Sequence, residues 1–384
     1  MAANTYDIII SGSGIAGLSL LYRAMKADLW VEKRIAVVDN NLKQQNDKTI
    51  SFWKKKPTAF DHIIHSSWTE ISFYSNAGEK IKLDAGPYTY HSIRSIDFYH
   101  ECLTYLKQFP NITFLQADIR SVGSDEAQCI METDKGRLTS RYLFNSIYKT
   151  PELRAGDQYF LQHFKGLKIK IDKPVVPVNE AYLMDYRSSQ EHGTTFFYTL
   201  PLAENELFVE YTIFSKTLLQ PHQYDEKISR YLHEVLNIDA YEILEEEFGV
   251  IPMTNHQFVR KNGNVMNIGS IGGDTRASTG YTFMNVQKVI DQILRTYKTK
   301  GHPFFADEPI GIKESLYDST LLNVLDSKSY EGHQLFTDLF QGTKAKYVFA
   351  FLDAESNILN DLRIMKSLRT FPFLKAFLKS LARR

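Results

Sequence analysis

One carboxylic acid lies inside an apolar run, in the segment "ELFVEYTIF" at residues 206–214. Side chains of a β-strand alternate between its two faces, so Glu210 shares a predicted face with Phe208, Thr212 and Phe214. Burying a charged carboxylate is unfavourable, and burial raises the pKa of the acid, so a buried Glu210 would stay protonated. It is therefore a candidate general acid. Two alternatives remain: Glu210 faces solvent, or it pairs with a buried arginine such as Arg187.

The segment "IIISGSGIAGLSL" carries Gly-x-Gly-x-x-Gly between a predicted strand and a predicted helix. In this pattern Gly12 permits a tight turn, Gly14 lets the backbone approach a pyrophosphate, and Gly17 packs the helix onto the sheet. The helix N-terminus offers N–H groups and a positive dipole end to the phosphates. Asp39 ends the next predicted strand and can bind ribose hydroxyls. The pattern predicts a dinucleotide site, and the alternative is a glycine-rich turn without a ligand.

A second glycine-rich loop, "NIGSIGGDTRASTGYTF", lies far along the chain between a predicted strand and a predicted helix. A contact supplied so late in the chain suits a long ligand, which favours FAD over NAD. The residues predicted to bind the cofactor here are Gly273, Ser278, Thr279 and Gly280. A second Gly-x-Gly-x-x-Gly with a partner acid is absent from the sequence. We therefore expect no separate NAD(P) domain, and an external donor such as NAD(P)H would reduce the flavin.

The order of the predicted elements indicates an α/β fold in which a Rossmann-type FAD-binding domain is interrupted and later resumed. The predicted division is residues 1–150 for the FAD domain with a strand-rich insertion near 54–92, residues 151–260 for a β-rich substrate domain, residues 261–300 for the return to the FAD domain, and residues 301–384 for a helical C-terminal region. The acidic run "EILEEEF" at residues 242–248 is expected to be the solvated end of a helix.

Composition argues against several classes of protein. Basic and acidic residues balance at 45 each among 384, so charge does not indicate nucleic acid as a partner. Cys102 and Cys129 show no disulfide or metal spacing, and the histidines form no metal motif, so we expect a reducing cytoplasm and no metal. No apolar run reaches about 18 residues, so no spanning helix is expected. A first strand that begins by Tyr6 leaves no room for a signal or transit peptide.

The C-terminal segment "FPFLKAFLKSLARR" predicts an amphipathic helix. Its apolar stripe comprises Phe373, Leu374, Phe377, Leu378 and Leu381, and its flanking cations are Lys375, Lys379, Arg383 and Arg384. This pattern is typical of a helix that lies in a membrane interface. We therefore expect a cytoplasmic protein that associates peripherally with the inner face of the membrane. The alternative is a last helix that docks on the FAD domain and leaves its lysines in solvent.

Six segments together resemble the lycopene β-cyclase family of flavoproteins. They are "NDKTISFW" (46–53), "HSIRSIDFY" (91–99), "LMDYR" (183–187), "FVEYT" (208–212), "FGVIPM" (248–253) and "GGDTRASTGYTF" (272–283). The resemblance implies a glutathione-reductase-like FAD domain that carries a β-rich substrate domain. It also implies an intramolecular lyase or isomerase that cyclises the acyclic ends of lycopene, or of a related linear carotenoid, without net redox change.

The resemblance also implies roles for individual residues. The acid of the family's Phe-Val-Glu-x-Thr strand is catalytic and maps onto Glu210, which would protonate the terminal double bond. Thr49 and Arg94 would contact FAD, although a structural ion pair is an equal alternative for Arg94 from its local sequence. The expected substrate pocket comprises Phe208, Thr212 and Phe214. FAD would act in its reduced form, and its negative charge would stabilise the cation without net electron transfer.

Two other classes of function stay open from the sequence. A flavin-dependent monooxygenase or double-bond reductase acting on a lipophilic polyene would share the glycine loops but consume NADPH in proportion to product. A non-catalytic flavin- and carotenoid-binding protein would not need Glu210. For the leading hypothesis we expect a linear carotenoid and a membrane lipid surface as partners, and no stable protein partner.

Overall fold

The computed structural model describes residues 4–125 and 127–382. The strands are β1 Thr5–Ser11, β2 Ile35–Asp39, β3 Thr49–Lys54, β4 Ser66–Trp68, β5 Glu70–Tyr74, β6 Lys80–Lys82, β7 Thr89–Arg94, β8 Ile112–Gln116, β9 Ile119–Ser124, β10 Cys129–Thr133, β11 Gly136–Asn145, β12 Tyr159–Lys170, β13 Glu180–Asp185, β14 Thr194–Ala203, β15 Glu206–Ser215, β16 Glu242–Thr254, β17 Lys261–Asn262 and β18 Val265–Asn267. The α-helices are α1 Ile15–Lys26, α2 Ser95–Leu106, α3 Pro221–Arg230, α4 Phe283–Lys300, α5 Ile312–Asp326, α6 Gly332–Gly342, α7 Ala345–Leu352, α8 Ile358–Ser367 and α9 Thr370–Leu381.

The first sheet has the strand order β17-β18-β11-β1-β2-β8, in which β18, β11, β1, β2 and β8 run parallel, and β17, β10 and β9 are joined by antiparallel pairing. The apolar run of β1 explains its central place, because Ile8, Ile9 and Ile10 are all fully buried, as in a parallel strand covered on both faces. Helices α1, α2 and α4 contribute to the same core. The first glycine motif therefore lies at the carboxyl end of β1, where open α/β sheets bind their ligands.

The second sheet has the strand order β16-β12-β15-β14-β13-β5-β6. Two of its strands, β5 and β6, come from the strand-rich insertion, and the others come from residues after position 158. On β15 the predicted alternation is confirmed. Leu207, Val209, Tyr211 and Ile213 belong to the core that contains α3, whereas Phe208 and Phe214 belong to the core that contains the C-terminal helices.

The strands β3, β7 and β4 form a small antiparallel sheet beside the second sheet. Helices α5 to α9 contribute side chains to the same core as the Phe208–Phe214 face of β15, so these helices cover that face. A buried ion pair between Arg276 Nη2 and Asp318 Oδ1, 2.8 Å long, joins the second glycine-rich loop to α5. Within residues 4–125 and 127–382, none of the helices has both the length and the apolar character needed to cross a membrane.

The acidic run at residues 242–248 is not the end of a helix, so that prediction was wrong. It forms the first half of β16, which is an edge strand whose one partner among the described residues is β12. The physical reason is that an edge strand exposes alternate side chains to solvent and commonly carries charges there. Its composition therefore resembled that of a solvated helix end.

Candidate active site

The first glycine loop has the shape that its sequence predicts. Gly12 adopts φ +92°, a left-handed conformation that favours glycine. A Cβ on Gly17 would overlap the carbonyl oxygen of Gly12, so only glycine lets α1 pack this closely on the turn. A Cβ on Gly14, in contrast, would have no described atom within 4 Å. The loop is therefore closed towards the sheet and open at the N-terminus of α1.

Asp39, at the end of β2, is tied to this loop. Its Oδ2 accepts hydrogen bonds from the backbone N–H of Ser13 at 2.6 Å and from Ser13 Oγ at 2.9 Å, and Lys43 Nζ lies 3.3 Å away. Burial alone would raise the pKa of Asp39, but the hydrogen bonds from Asn41 and Ser13 and the charge of Lys43 outweigh burial and lower it. Asp39 is therefore an ionised acceptor beside the glycine turn.

The second glycine-rich loop connects this turn to the interior. At its start, a Cβ on Gly269 would lie 3.1 Å from the Cβ of Ala16, so the loop packs against the first turn of α1. Gly273 adopts φ +82° and ends the short 3₁₀ helix Gly269–Gly272. Later in the loop, Ser278 and Thr279 line a large cavity. Gly280 follows at φ +73°, and a Cβ there would overlap the side chain of Gln162.

The cavity is apolar and has a volume of about 370 Å³. Its walls come from the second sheet, from the second glycine-rich loop and from helices α5 to α9. Aromatic side chains dominate it, among them Trp53, Phe196, Tyr198, Phe214, Tyr281 and Phe336. The volume falls in the range of small-molecule sites, which are mostly apolar with a few polar groups.

Glu210 is buried, with 8% of its surface exposed. Its Oε1 accepts a hydrogen bond of 2.6 Å from the hydroxyl of Thr212. Glu210 therefore does not face solvent, and Arg187, the arginine considered as its partner, pairs instead with Asp185 at 2.6 Å. Of the predicted pocket residues Phe208, Thr212 and Phe214, Phe214 lines the cavity, whereas Phe208 lines a separate small cavity and Thr212 lines neither. Tyr198, the cross-strand neighbour of Glu210, also lines the large cavity. The cavity therefore reaches the immediate neighbours of the acid.

A second acid, Glu247, lies beside Glu210. Gly166 on β12 pairs with Glu210 on one side and with Glu247 on the other, so both acids flank one glycine. Burial is the main cause that raises the pKa of Glu210, and the Glu247 carboxyl raises it further, while the hydrogen bond from Thr212 opposes both. Burial likewise raises the pKa of Glu247. The site therefore holds two acids that favour the protonated form.

Thr49 and Arg94 were predicted to contact a flavin, and that role stays a prediction. In the structure Thr49 donates a hydrogen bond of 2.8 Å to Glu247 Oε2. Arg94 makes two hydrogen bonds of 2.7 Å to the carboxylate of Asp97, which is the structural ion pair considered from the sequence. A second, small cavity lies beside Thr49. Its lining includes Thr49, Arg94, Phe208 and Glu247.

Sequence reasoning missed Glu247 and the tyrosines around Glu210. Glu245, Glu247 and Gly249 lie on one face of β16 and are less exposed than the residues between them, so extending the "FGVIPM" strand backwards would have identified Glu247. The hydroxyl of Tyr281 lies 3.0 Å from that of Tyr90 and 3.5 Å from that of Tyr198. These tyrosines come from three distant segments, and no local pattern indicates that they meet.

Solved flavoproteins share the fold. A flavoprotein/dehydrogenase from Cytophaga hutchinsonii aligns with a TM-score of 0.62 and 10% identity, covering 99% of this chain and 100% of that one. A geranylgeranyl bacteriochlorophyll reductase-like protein from Thermoplasma acidophilum aligns with a TM-score of 0.59 and 11% identity, covering 99% and 96%. HpxO from Klebsiella pneumoniae, solved in complex with FAD, aligns with a TM-score of 0.56 and 11% identity, covering 97% and 99%. The protein therefore has a Rossmann-type FAD-binding fold with a helical C-terminal region.

Sequence comparison identifies the family. No curated protein matches the chain significantly. The family described as "Lycopene cyclase protein" matches residues 7–378, which is nearly the whole chain. The resemblance first seen in six short segments is therefore confirmed along the length of the protein, and the chain belongs to the lycopene cyclase family.

Proposed function

We propose that the protein catalyses an FAD-dependent, redox-neutral cyclisation of the acyclic ends of lycopene or a related linear carotenoid. One observation carries the proposal: in a chain of this family, a buried acid with a raised pKa lies directly across the sheet from Tyr198, which lines a large apolar cavity. Protonating an alkene requires a donor that is held close, dry and protonated at neutral pH. Glu210 is the described residue that best meets these three conditions.

The residues present fit FAD. The open space at Gly14 admits a pyrophosphate to the N-terminus of α1, and the ionised Asp39 can accept hydrogen bonds from ribose hydroxyls. The second glycine-rich loop runs from α1 to the cavity, and Ser278 Oγ on it is buried without a hydrogen-bond partner among the described residues. Bound in its reduced form, FAD would supply negative charge near a cationic intermediate. NAD(P)H is the proposed external reductant.

In the proposed mechanism Glu210 donates a proton to the terminal double bond of a polyene end held in the cavity. The resulting tertiary cation is attacked by the neighbouring double bond, and loss of a proton leaves a cyclohexene ring. One proton is gained and one is lost, so the product keeps the mass of the substrate. The aromatic walls exclude water, and a ring face beside the cation contributes ~0.5–2 kcal/mol.

We also propose that the enzyme collects its substrate from a membrane, because a linear carotenoid is too apolar to diffuse through water. Helices α8 and α9 expose apolar side chains, namely Leu359, Leu362, Met365, Phe371, Leu374 and Leu378. Exposed lysines at 366, 375 and 379 lie on the same two helices and suit an anionic lipid surface. Met365 and Leu374 also line the cavity, so the cavity borders this surface, which we call the α8–α9 face.

The α8–α9 face differs from the stripe expected from the sequence. Phe373 and Phe377 turn inwards and line the cavity, while Ala376 and Ser380 are buried. Ser380 Oγ accepts a hydrogen bond of 2.9 Å from Asn323 Nδ2 of α5. The helix is therefore docked on the protein and also exposes an apolar side. Arg383 and Arg384 of the predicted cationic flank lie outside the described residues.

The experiment is an anaerobic incubation of the protein with lycopene, FAD and a reductant, followed by product mass and chromatography. We expect unchanged mass and changed retention. We expect Glu210→Gln, which keeps volume but removes the acid, to bind FAD normally and to lower turnover at least ~10²-fold, the lower range for a general acid.

Other results would contradict the proposal in different ways. Product with added oxygen or hydrogen would indicate a monooxygenase or reductase. Unchanged lycopene with flavin bound would favour a binding protein. Normal turnover in Glu210→Gln would remove Glu210 as the proton donor while leaving the cyclisation itself in place.

A further inference from the structure

We propose that Glu210 and Glu247 form a carboxyl pair that shares a proton, in which Glu247 is the positioning residue that keeps Glu210 protonated. The proposal rests on the cyclisation proposed above. Strand β12 separates the strands of the two acids, so their Cα atoms lie about 9–10 Å apart, twice the spacing of neighbouring strands. Two glutamate side chains that lean towards each other across one strand can close that gap.

Gly166 of β12 leaves the space in which the two side chains meet. A Cβ at this position would lie 3.0 Å from Cγ of Glu247 and 2.6 Å from Cζ of Phe208. Any larger residue would therefore displace Glu247 or the ring of Phe208. The ring of Phe208 lies on the same face of β15 as Glu210. This ring therefore shields the two carboxyls from water.

The hydrogen bonds around the pair leave Oε1 of Glu247 as the position for a shared proton. Thr212 donates to Oε1 of Glu210 at 2.6 Å, and Thr49 donates to Oε2 of Glu247 at 2.8 Å. Oε1 of Glu247 is inaccessible to solvent and accepts no hydrogen bond from any described residue. Leaving such an oxygen unpaired is unfavourable. A proton held between the two carboxyls would satisfy it.

Electrostatics supports the same arrangement. Burial raises the pKa of both acids, and two carboxylates at close range cannot both ionise without repulsion. The groups around Glu210 are the phenols of Tyr90 and Tyr198, whose pKa is raised by burial so that they stay neutral. The charged or titratable groups around Glu247 are Asp47, Lys48, His65, Arg94, Lys168, Glu245 and Glu246. Of these, Glu246 is exposed and pairs with Lys165 at 3.0 Å.

The pair has a direct consequence for the proposed reaction. A hydrogen bond from Thr212 favours loss of the proton from Glu210 and so opposes the effect of burial on its pKa. The second carboxyl opposes that loss and keeps one proton in the pair through neutral pH. When Glu210 gives this proton to the double bond, the proton lost at ring closure balances it, and no electrons are exchanged.

The first test is the pH dependence of cyclisation in Glu247→Gln. The amide removes the like charge and can donate to Glu210, so the pKa of Glu210 should fall. We expect the alkaline limb of the rate profile to move down by about one unit, which lowers the rate near pH 8 about fivefold and leaves the rate near pH 6 little changed. The control is Glu246→Gln, on the exposed face of β16, which should keep the wild-type profile. A wild-type profile in Glu247→Gln would overturn the pair.

The second test does not depend on activity. Infrared spectra of the purified full-length protein should show a protonated-carboxyl band at neutral pH, and this band should disappear at a pH about one unit lower in Glu247→Gln than in the wild type. Thr49→Val removes a hydroxyl that favours ionised Glu247, so the band should persist to higher pH; an unchanged titration would overturn the pair. If the wild-type protein cyclises nothing, the proposed function fails while the infrared result still decides whether the pair exists.

Discussion

At the scale of single residues, the two glycines that frame the start of α1 serve different physical purposes. Gly17 is required by packing, because a side chain there would overlap the turn, whereas Gly14 borders open space. Gly14 has φ −78° and ψ −169°, an extended conformation that any residue adopts. Its lack of a side chain therefore matters to a ligand and not to the fold.

This difference predicts that Gly14→Val folds normally but fails to retain flavin. The added side chain would occupy the space of a pyrophosphate, and its Cβ would have no described atom within 4 Å. Gly17→Ala, in contrast, should lower the stability of the whole protein by ~1–3 kcal/mol, as expected for an overpacked site. The measurements are the flavin absorbance per protein after purification and the urea unfolding midpoint. A Gly14→Val protein that carries its full complement of flavin would contradict the assignment of this loop.

At the scale of elements, the strand β12 positions the acids of its two neighbours, β15 and β16. It pairs with β15 on one side and with β16 on the other, and its register brings Gly166 opposite both acids. The strand contributes no acid itself. Its contribution is Gly166, which has no side chain and so leaves space for the two acids.

We predict that Gly166→Ala costs about 1–3 kcal/mol of stability, because the added methyl group must displace Phe208 or Glu247. The matched control is Gly123→Ala on β9, where a Cβ would meet nothing within 4 Å. That variant should be neutral or up to ~1 kcal/mol more stable. Urea unfolding of both variants measures the difference, and equal stabilities would show that the space at Gly166 is not confined.

At the scale of the whole molecule, the carboxyl pair makes stability depend on pH. Burial raises the pKa of both acids in the folded state, so from about pH 4.3 to neutrality these two acids bind more protons in the folded protein than in the unfolded chain. Their contribution to the free energy of unfolding is complete in acid and declines as the pH rises. His91 and His163 act in the opposite direction, because burial lowers the pKa of each to about 4.

We therefore predict that the wild-type protein loses more stability than Glu247→Gln between about pH 6 and pH 8. The two histidines are common to both proteins and cancel in the difference. Glu246→Gln should follow the wild type, because that acid is exposed and pairs with Lys165 at 3.0 Å. Urea unfolding at the two pH values measures the effect. Parallel losses in all three proteins would argue against a raised pKa at Glu247.

The α8–α9 face gives a second prediction at this scale. Replacing Phe371 and Leu378 by serine should weaken binding to anionic liposomes, because each large apolar side chain contributes ~1.5–3 kcal/mol when it is buried. Added salt should weaken binding further by screening the lysines. Flotation with liposomes measures the effect, and the control is Val259→Ser, whose side chain is 61% exposed on a loop outside these helices. Equal flotation of all variants would place the membrane surface elsewhere.

The sequence by itself determined the local features of this protein. The glycine spacing and Asp39 predicted the turn at the carboxyl end of β1, and the period of two placed Glu210 on one face with Phe208 and Phe214. These inferences hold because turn geometry and strand alternation depend only on neighbouring residues. The family followed from six short segments for the same reason.

The tertiary structure alone decided which of these local features meet. Glu247 lies 37 positions from Glu210 in the chain, and only the pairing of both strands with β12 brings the acids together. The apolar stripe predicted for α9 lies partly in the cavity wall and partly on the surface, because α5 buries one side of the helix. Strand register and helix docking are set by the packing of distant segments, and no local pattern encodes them.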